Sequence, residues 1–380
     1  MNITENKKIA IVGGGPGGLT LARLLQVSGV NVQVYERDLN KDVRVQGATL
    51  DLHDDSGLLA LSKAGLMDAF WANYRPGADK ICITDKHAHV VFSEHVNEME
   101  NTMRPEIDRG PLRKILLDSL QPDTVVWDSY FRSMTKSGEG WELTFQNGTS
   151  VYADIVIAAD GANSKIRPFI TPIKPFYSGV TVVEGAVYDA AAAPKVNELL
   201  NGGKIFTMDD EKTLIVSSKG DGSMPFYTGI KTPEDWVLKS GIDFKDKVQV
   251  LAWLKQEFAG WSDIWLELFE NASAFIPRPQ YCMPLDQTWE ALPNLTMLGD
   301  AAHLMPPFAG EGVNMAMQDA LELSECLTSE AFPDVHAAIA AYEKQMRARA
   351  SEVAAITLEQ TESLHSTDAI SNMLAMFRGE

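Results

Sequence analysis

Residues 8–12 form a short apolar, β-branched run that stops at Gly13-Gly14-Gly15-Pro16-Gly17-Gly18. Residues 19–28 then place Leu21, Leu24 and Leu25 on one side of a helix, Gly29 ends it, and residues 30–35 alternate as a second strand that closes on Glu36. This start predicts one βαβ unit. Residues 125–127 and 141–145 read as strands, with turns at Ser137-Gly138-Glu139-Gly140 and Asn147-Gly148. Residues 154–159 are a continuous apolar run of the kind buried on both faces of a parallel sheet.

From about residue 180 to 276 the pattern changes. Short β-rich runs at 181–187, 204–208, 213–217 and 224–230 precede an amphipathic helix with Val250, Leu254, Phe258 and Trp261 on one face. Residues 86–92 predict an exposed hairpin arm, and the alanines at 190–193 before Pro194 a linker. Residues 294–298 return to strand and 312–327 to helix; a long helix over 334–364 turns Ile339, Tyr342, Met346 and Val353 to the core. The chain therefore reads as α/β. A discontinuous Rossmann-like unit covers 1–75, 103–176 and 282–330, a mixed β-sheet domain is inserted at 76–102 and 177–281, and a C-terminal bridging helix covers 331–380.

Composition narrows the partners. Against 33 Lys and Arg stand 52 Asp and Glu, a formal charge of −19, which repels phosphate backbones and anionic lipid and argues against nucleic acid or membrane. Cys82, Cys282 and Cys326 are odd in number and widely spaced, so they form no disulfide framework or metal motif. His87, His89 and His95 lack a carboxylate or cysteine partner at ligand spacing, and no metal is expected. The first apolar run is too short for a signal peptide, and no stretch approaches a membrane span; a cytoplasmic monomer is the expectation.

The glycines carry the first chemistry. Gly13 permits a tight turn after the strand, Gly15 lets the backbone approach a pyrophosphate, and Gly18 lets helix and strand pack closely. The helix N-terminus offers unpaired N–H groups to the anion, and Glu36 can accept ribose hydroxyls. This unit alone does not separate FAD from NAD.

Two further segments do so by resemblance. Val156-Ile157-Ala158-Ala159-Asp160-Gly161-Ala162-Asn163-Ser164-Lys165-Ile166-Arg167 resembles the Asp-Gly motif of flavoprotein hydroxylases, and Leu298-Gly299-Asp300-Ala301-Ala302-His303-Leu304-Met305-Pro306-Pro307 their Gly-Asp motif. With the glycine loop, these are the three fingerprints of the class A FAD-dependent monooxygenases, in the family's order. The resemblance is strongest to the tetracycline-inactivating members, the tetracycline destructases, through Val34-Tyr35-Glu36-Arg37-Asp38, Gly47-Ala48-Thr49-Leu50-Asp51-Leu52-His53, Lys231-Thr232-Pro233-Glu234-Asp235-Trp236 and the segment 299–312.

The resemblance implies a glutathione-reductase-type FAD domain, an inserted substrate sheet, FAD as resident cofactor and NADPH or NADH as transient reductant. It assigns FAD contacts to Arg37, Asp51, Arg109, Asp160 and Asp300, and to Pro307, Gly310, Gly312, Val313 and Asn314, in a stiff loop whose N–H groups face the flavin's pyrimidine edge. It ties Arg44 to the nicotinamide nucleotide or to flavin movement; the residues alone leave Arg44, Arg109 and Arg113 open to a solvated or salt-bridge role. Positions that grip tetracycline through Gln, Arg and His appear here as Glu184, Lys204 and Pro225, so the substrate half departs from that pattern. Phe206, Met224, Pro307 and Phe308 are candidate pocket walls.

The implied reaction hydroxylates an electron-rich aromatic or polyketide-like molecule through a flavin C4a-hydroperoxide, with the protein supplying position and exclusion of water and no catalytic side chain named. A flavin disulfide reductase would need a second glycine fingerprint and a redox cysteine pair, which the sequence lacks. A flavin-dependent dehydrogenase and a flavoprotein that sequesters a drug without turning it over both stay open.

Overall fold

The structure is a computed structural model that describes residues 3–43, 49–95 and 104–378. Five parallel strands form one sheet in the order Leu295–Met297, Ile155–Ala158, Ile9–Val12, Val32–Tyr35, Val125–Val126. Ile9, Ile11, Val34, Val156 and Ile157 are buried in one core with helix Pro16–Val27 and with the antiparallel strands Phe131–Ser137 and Gly140–Phe145, whose Phe145 stacks on Tyr35 at 4.9 Å. Helix Pro16–Val27 packs its Leu21, Leu24 and Leu25 into this core beside helix Gly312–Thr328. Each such leucine contributes about 1.5–3 kcal/mol by leaving water. The first helix stops at Gly29, whose φ of +78° suits glycine, and the N–H of Val30 donates to the carbonyl of Leu25 at 2.9 Å.

A seven-stranded sheet forms a second layer, in the order Phe275–Cys282, Phe176–Val187, Met224–Lys231, Lys212–Ser217, Lys204–Asp209, Ile81–Thr84, Val90–Ser93. Its neighbours are antiparallel except for the pair Lys204–Asp209 and Ile81–Thr84. Alternation divides each strand between two faces. On one, Val183, Leu214, Val216 and Phe226 are sealed with Val250 and Leu254 of helix Lys247–Glu257 and with Trp265. On the other, Ile83, Phe206 and Met208 meet Phe308 and Leu364. This second face looks toward the loop that follows the parallel sheet. Helix Val335–Leu364 runs about 45 Å, capped by Asp334, which accepts from the N–H of Ala337 at 2.8 Å. Its start joins the first core through Ala338, Tyr342 and Met346, and its end reaches the seven-stranded sheet through Leu364.

Several local expectations change. Residues 190–193 are a 3₁₀ turn, Ala190–Ala192, leading into helix Pro194–Leu200 and not a bare linker, because Asp189 accepts from the N–H of Ala191 at 3.0 Å. The hairpin arm is exposed as expected, at His87, His89, Val90 and Val91, and it forms the edge of the large sheet, where Phe92 stacks on Phe377 at 5.1 Å. The helix that was to reach Trp261 ends at Glu257, with Gly260 at φ +86°, although Phe258 and Trp261 still pack edge to face. The C-terminal region holds two helices, Val335–Leu364 and Ala369–Arg378, in place of one. Strand Phe275–Cys282 escaped notice because Pro277 and Pro279 interrupt it; an edge position tolerates them.

Candidate active site

The glycine loop lies at the carboxyl end of the central strand Ile9–Val12. Gly13 has φ +116°, and a Cβ there would lie 2.1 Å from the carbonyl oxygen of Ala159; a Cβ on Gly18 would lie 2.1 Å from that of Gly13. Both positions require glycine for close packing. Gly15 differs, since nothing lies within 4 Å of where its Cβ would stand, and it is the N-cap of Pro16–Val27 with no side-chain cap bond. With Pro16 at its first position, the N–H groups of that helix's first turn are claimed by no cap side chain and favour an anion. Glu36 ends the next strand; its buried carboxylate accepts from the N–H of Gly14 at 2.5 Å and of Asp38 at 3.0 Å. Arg37 beside it is exposed. Arg44 lies outside the described residues.

The second segment follows strand Ile155–Ala158. One oxygen of Asp160 accepts from the N–H of Lys165 at 2.8 Å, and the other is buried with no hydrogen-bond partner. Burial raises its pKa. Arg167 is buried and donates to the carbonyls of Ile173 (3.0 Å), Ala301 (3.0 Å) and Ala302 (2.8 Å) and to Gln287 Oε1 (2.7 Å). Loss of water pushes its guanidinium down to about 10. It ties the second segment to the third.

The third segment begins where strand Leu295–Met297 ends. Gly299, at φ +59°, turns the chain, and its N–H donates to Asp319 at 2.8 Å. Asp300 is accessible to solvent yet walled in by protein, the position of a group lining a crevice. Burial raises its pKa, and the charges of His303 and then Arg109 partly offset that rise. His303 is a residue the sequence reading passed over. Its Nε2 donates to Asp319 at 2.5 Å, and Asp319 also receives Arg349 at 2.6 Å from the long helix.

The loop after this segment holds the 3₁₀ turn Pro307–Ala309 and Gly310 at φ +74°. Pro307 is exposed, and Phe308 and Gly310 are half-buried. A Cβ on Gly310 would meet the Asp51 carboxylate at 3.3 Å. Helix Gly312–Thr328 starts there with no side-chain cap, so the N–H groups of its first turn, from Gly312 and Val313 onward, are unclaimed by a cap. Asn314 is buried, accepts from the N–H of His53 and donates to the carbonyl of Asp51, both at 3.0 Å. Its side chain braces strand Thr49–Asp51 against the loop. His53 lies 3.2 Å from Asp51 and 3.5 Å from Glu311. Burial disfavours the Asp51 carboxylate, but the His53 hydrogen bond and the Lys204 charge outweigh it and hold its pKa below the usual value.

On the sheet side, Glu184, Lys204, Phe206 and Pro225 belong to the face that meets Phe308. Met224 does not. It is buried in the helix-covered core with Phe226, one residue out of phase with the face expected for it. Lys204 is ion-paired with buried Glu106, and Glu184 with Arg278. Arg113 donates to the carbonyl of Lys41 (2.6 Å) and to Asp38 (3.1 Å), which makes it an anchor of the loop after the second strand.

Gly13, Glu36, Asp160 and Asp300 thus stand at or just beyond the carboxyl ends of four adjacent parallel strands, where open α/β sheets bind dinucleotides. The open space at Gly15, the uncapped helix, the unpartnered Asp160 oxygen and the crevice-lining Asp300 fit FAD. A family model described as "FAD binding domain" matches residues 6–247 and 286–357. The chain belongs to the class A FAD-dependent monooxygenase family. It is 30% identical over 378 residues to the monooxygenase penA of Penicillium thymicola, covering 86% of each chain. Its fold is similar to the crystal structure of a FAD-containing monooxygenase from Photorhabdus luminescens (TM-score 0.79, 24% identity, 94% of this chain and 98% of that one). It is also similar to that of tetracycline destructase Tet(55) (TM-score 0.77, 20% identity, 98% and 95%). At these identities the two structures speak for the fold alone. Among the described residues of this monooxygenase, no helix is long and apolar enough to cross a membrane.

Proposed function

We propose that this FAD-dependent monooxygenase uses NADPH or NADH to hydroxylate an aromatic or polyketide-like small molecule, with tetracyclines the first substrates to test. The convergence of three sequence-distant segments at the carboxyl ends of one parallel sheet carries the reading.

Gly15 and the helix Pro16–Val27 would hold the pyrophosphate, Glu36 the adenosine ribose, and Asp160, Arg109 and Asp300 the stretch toward the flavin ring. Gly310, Gly312, Val313 and Asn314 would stand at the ring's pyrimidine edge, where the uncapped N–H groups of helix Gly312–Thr328 stabilise negative charge. Bound FAD supplies the two-electron chemistry that activates O₂. The chain's own contribution is position and dryness. Phe308 and Pro307 border the reacting edge, Phe206 closes the pocket from the sheet, and Asp51 stays ionised beside Gly310. His303 and Arg109 partly offset the rise that burial gives the Asp300 pKa, and the Asp300 oxygens are placed to accept hydroxyl hydrogens.

The test is incubation of the FAD-loaded protein with NADPH, O₂ and a panel of phenols and tetracyclines. The reading expects substrate-stimulated NADPH oxidation, matching O₂ uptake and a product heavier by one oxygen. A product lighter by two hydrogens, or ligand binding without turnover across the panel, rejects it.

A further inference from the structure

The register of the seven-stranded sheet sets Phe206 opposite Ile215, Ile215 opposite Tyr227, and Tyr227 opposite Glu184. These four side chains form one row across four strands. All four are half-buried, whereas Ile205, Leu214, Val216, Phe226 and Val183 beside them in their strands are sealed in the helix-covered core. The row is therefore the accessible stripe of the face that meets the flavin loop, and Phe308 packs at its Phe206 end. Three inter-strand steps make it about 14 Å long, more than one aromatic ring covers.

The charges on this face are already answered. Lys204, next to Phe206 but one, is ion-paired with Glu106, whose side chain is 1% exposed. At the far end Glu184 is ion-paired with Arg278. A substrate carboxylate brought onto the row would lose water and find in Lys204 a cation whose charge is spent. A neutral molecule with hydrogen-bonding groups at one end would find the Glu184–Arg278 pair, which retains lone pairs and N–H groups at its solvent edge.

We propose that the row Phe206–Ile215–Tyr227–Glu184 is a platform selecting a neutral, planar, multi-ring substrate. The reacting ring lies at the Phe206–Phe308 end and the polar end at Glu184–Arg278. This deepens the function proposed above and rests on it for the identity of the site.

Binding to the FAD-loaded protein, by calorimetry and without NADPH, tests it with a matched set of ligands: 1,8-dihydroxyanthraquinone, its 3-carboxylate derivative, and the single-ring 4-hydroxybenzoate. The neutral three-ring ligand is expected to bind at least about tenfold tighter than either acid, from ring burial and the unpaid desolvation of the carboxylate. Tyr227→Ala is expected to weaken it by about tenfold and to weaken 4-hydroxybenzoate, which covers only the Phe206 end, by much less, with bound FAD and far-UV circular dichroism retained. Equal or tighter binding of the carboxylated ligand, or indifference of the three-ring ligand to Tyr227→Ala, overturns the platform. The two readings fail separately: selective binding without oxygenation sinks only the proposed function, and oxygenation confined to single-ring acids sinks only the platform.

Discussion

Replacing Asp319 by asparagine removes one negative charge from a fully buried site. Its carboxylate accepts from the N–H of Gly299 at 2.8 Å, from His303 at 2.5 Å and from Arg349 at 2.6 Å. An asparagine oxygen can keep the Gly299 bond, and Arg349 keeps its second carboxylate partner, Glu322, but His303 loses the counter-charge it is hydrogen-bonded to. Breaking a buried ion pair from one side costs about 3–5 kcal/mol, and the retained bond points to the lower end. About 3 kcal/mol is roughly a hundredfold in an equilibrium constant. Because Gly299 sets the turn that presents Asp300, the loss is expected in FAD affinity as well as in stability. Thermal unfolding of the FAD-free protein and FAD titration by flavin fluorescence would read the two effects. The pH dependence adds a sign. Although burial opposes both charges, the pair raises the pKa of His303 and lowers that of Asp319. The His303 contribution is present below the ordinary histidine value and is lost as pH rises through its folded pKa. The Asp319 contribution is present above the ordinary carboxylate value and is lost as pH falls through its folded pKa. The gap between wild type and Asp319→Asn should therefore be widest in the window between the two folded values and shrink on either side. A variant that matches wild type in unfolding temperature and FAD affinity across that window refutes the reasoning.

Gly13→Ala is expected to give a colourless or misfolded protein, since its Cβ would overlap the Ala159 carbonyl at 2.1 Å; spectra of the purified variant with added FAD check this. Arg167→Met takes the guanidinium donor from the carbonyls of Ala301 and Ile173 and from Gln287, while Ala302 keeps the Gln287 amide, and should cost about 3 kcal/mol, read by urea unfolding. Gly310→Ala forces a left-handed residue against Asp51; a cost of about 1 kcal/mol is expected, together with a change in the flavin's reduction potential that a variant at a remote loop glycine, such as Gly241→Ala, would not produce.

The parts legible in the sequence were those whose physics is local. A glycine whose Cβ would strike the next strand, a carboxylate at a strand end and a long helix with a core-facing stripe each announce themselves within a few residues. The parts that escaped depend on distance or parity. Asp319 and Arg349 stand far from His303 in the chain, and nothing in their own segments marks them as its partners. Arg113, a candidate for cofactor contact by position, instead holds the loop at Asp38 and Lys41. Strands of the inserted sheet could be found from their β-branched runs, but which side of each meets the pocket is settled by the helices on the other side. A single step separates Met224 in the helix-covered core from Pro225, which is buried on the opposite face. The counter-ions Glu106 and Arg278 come from strands that only the folded topology brings beside Lys204 and Glu184.

The most direct measurement is the flavin content of the purified protein reconstituted with excess FAD and desalted, compared with Asp300→Ala treated identically. The account predicts one FAD per wild-type chain and a large loss of bound flavin in the variant at unchanged circular dichroism. A well-folded wild-type chain that emerges without flavin, or a variant that retains it fully, would contradict the claim that these three segments cradle the cofactor.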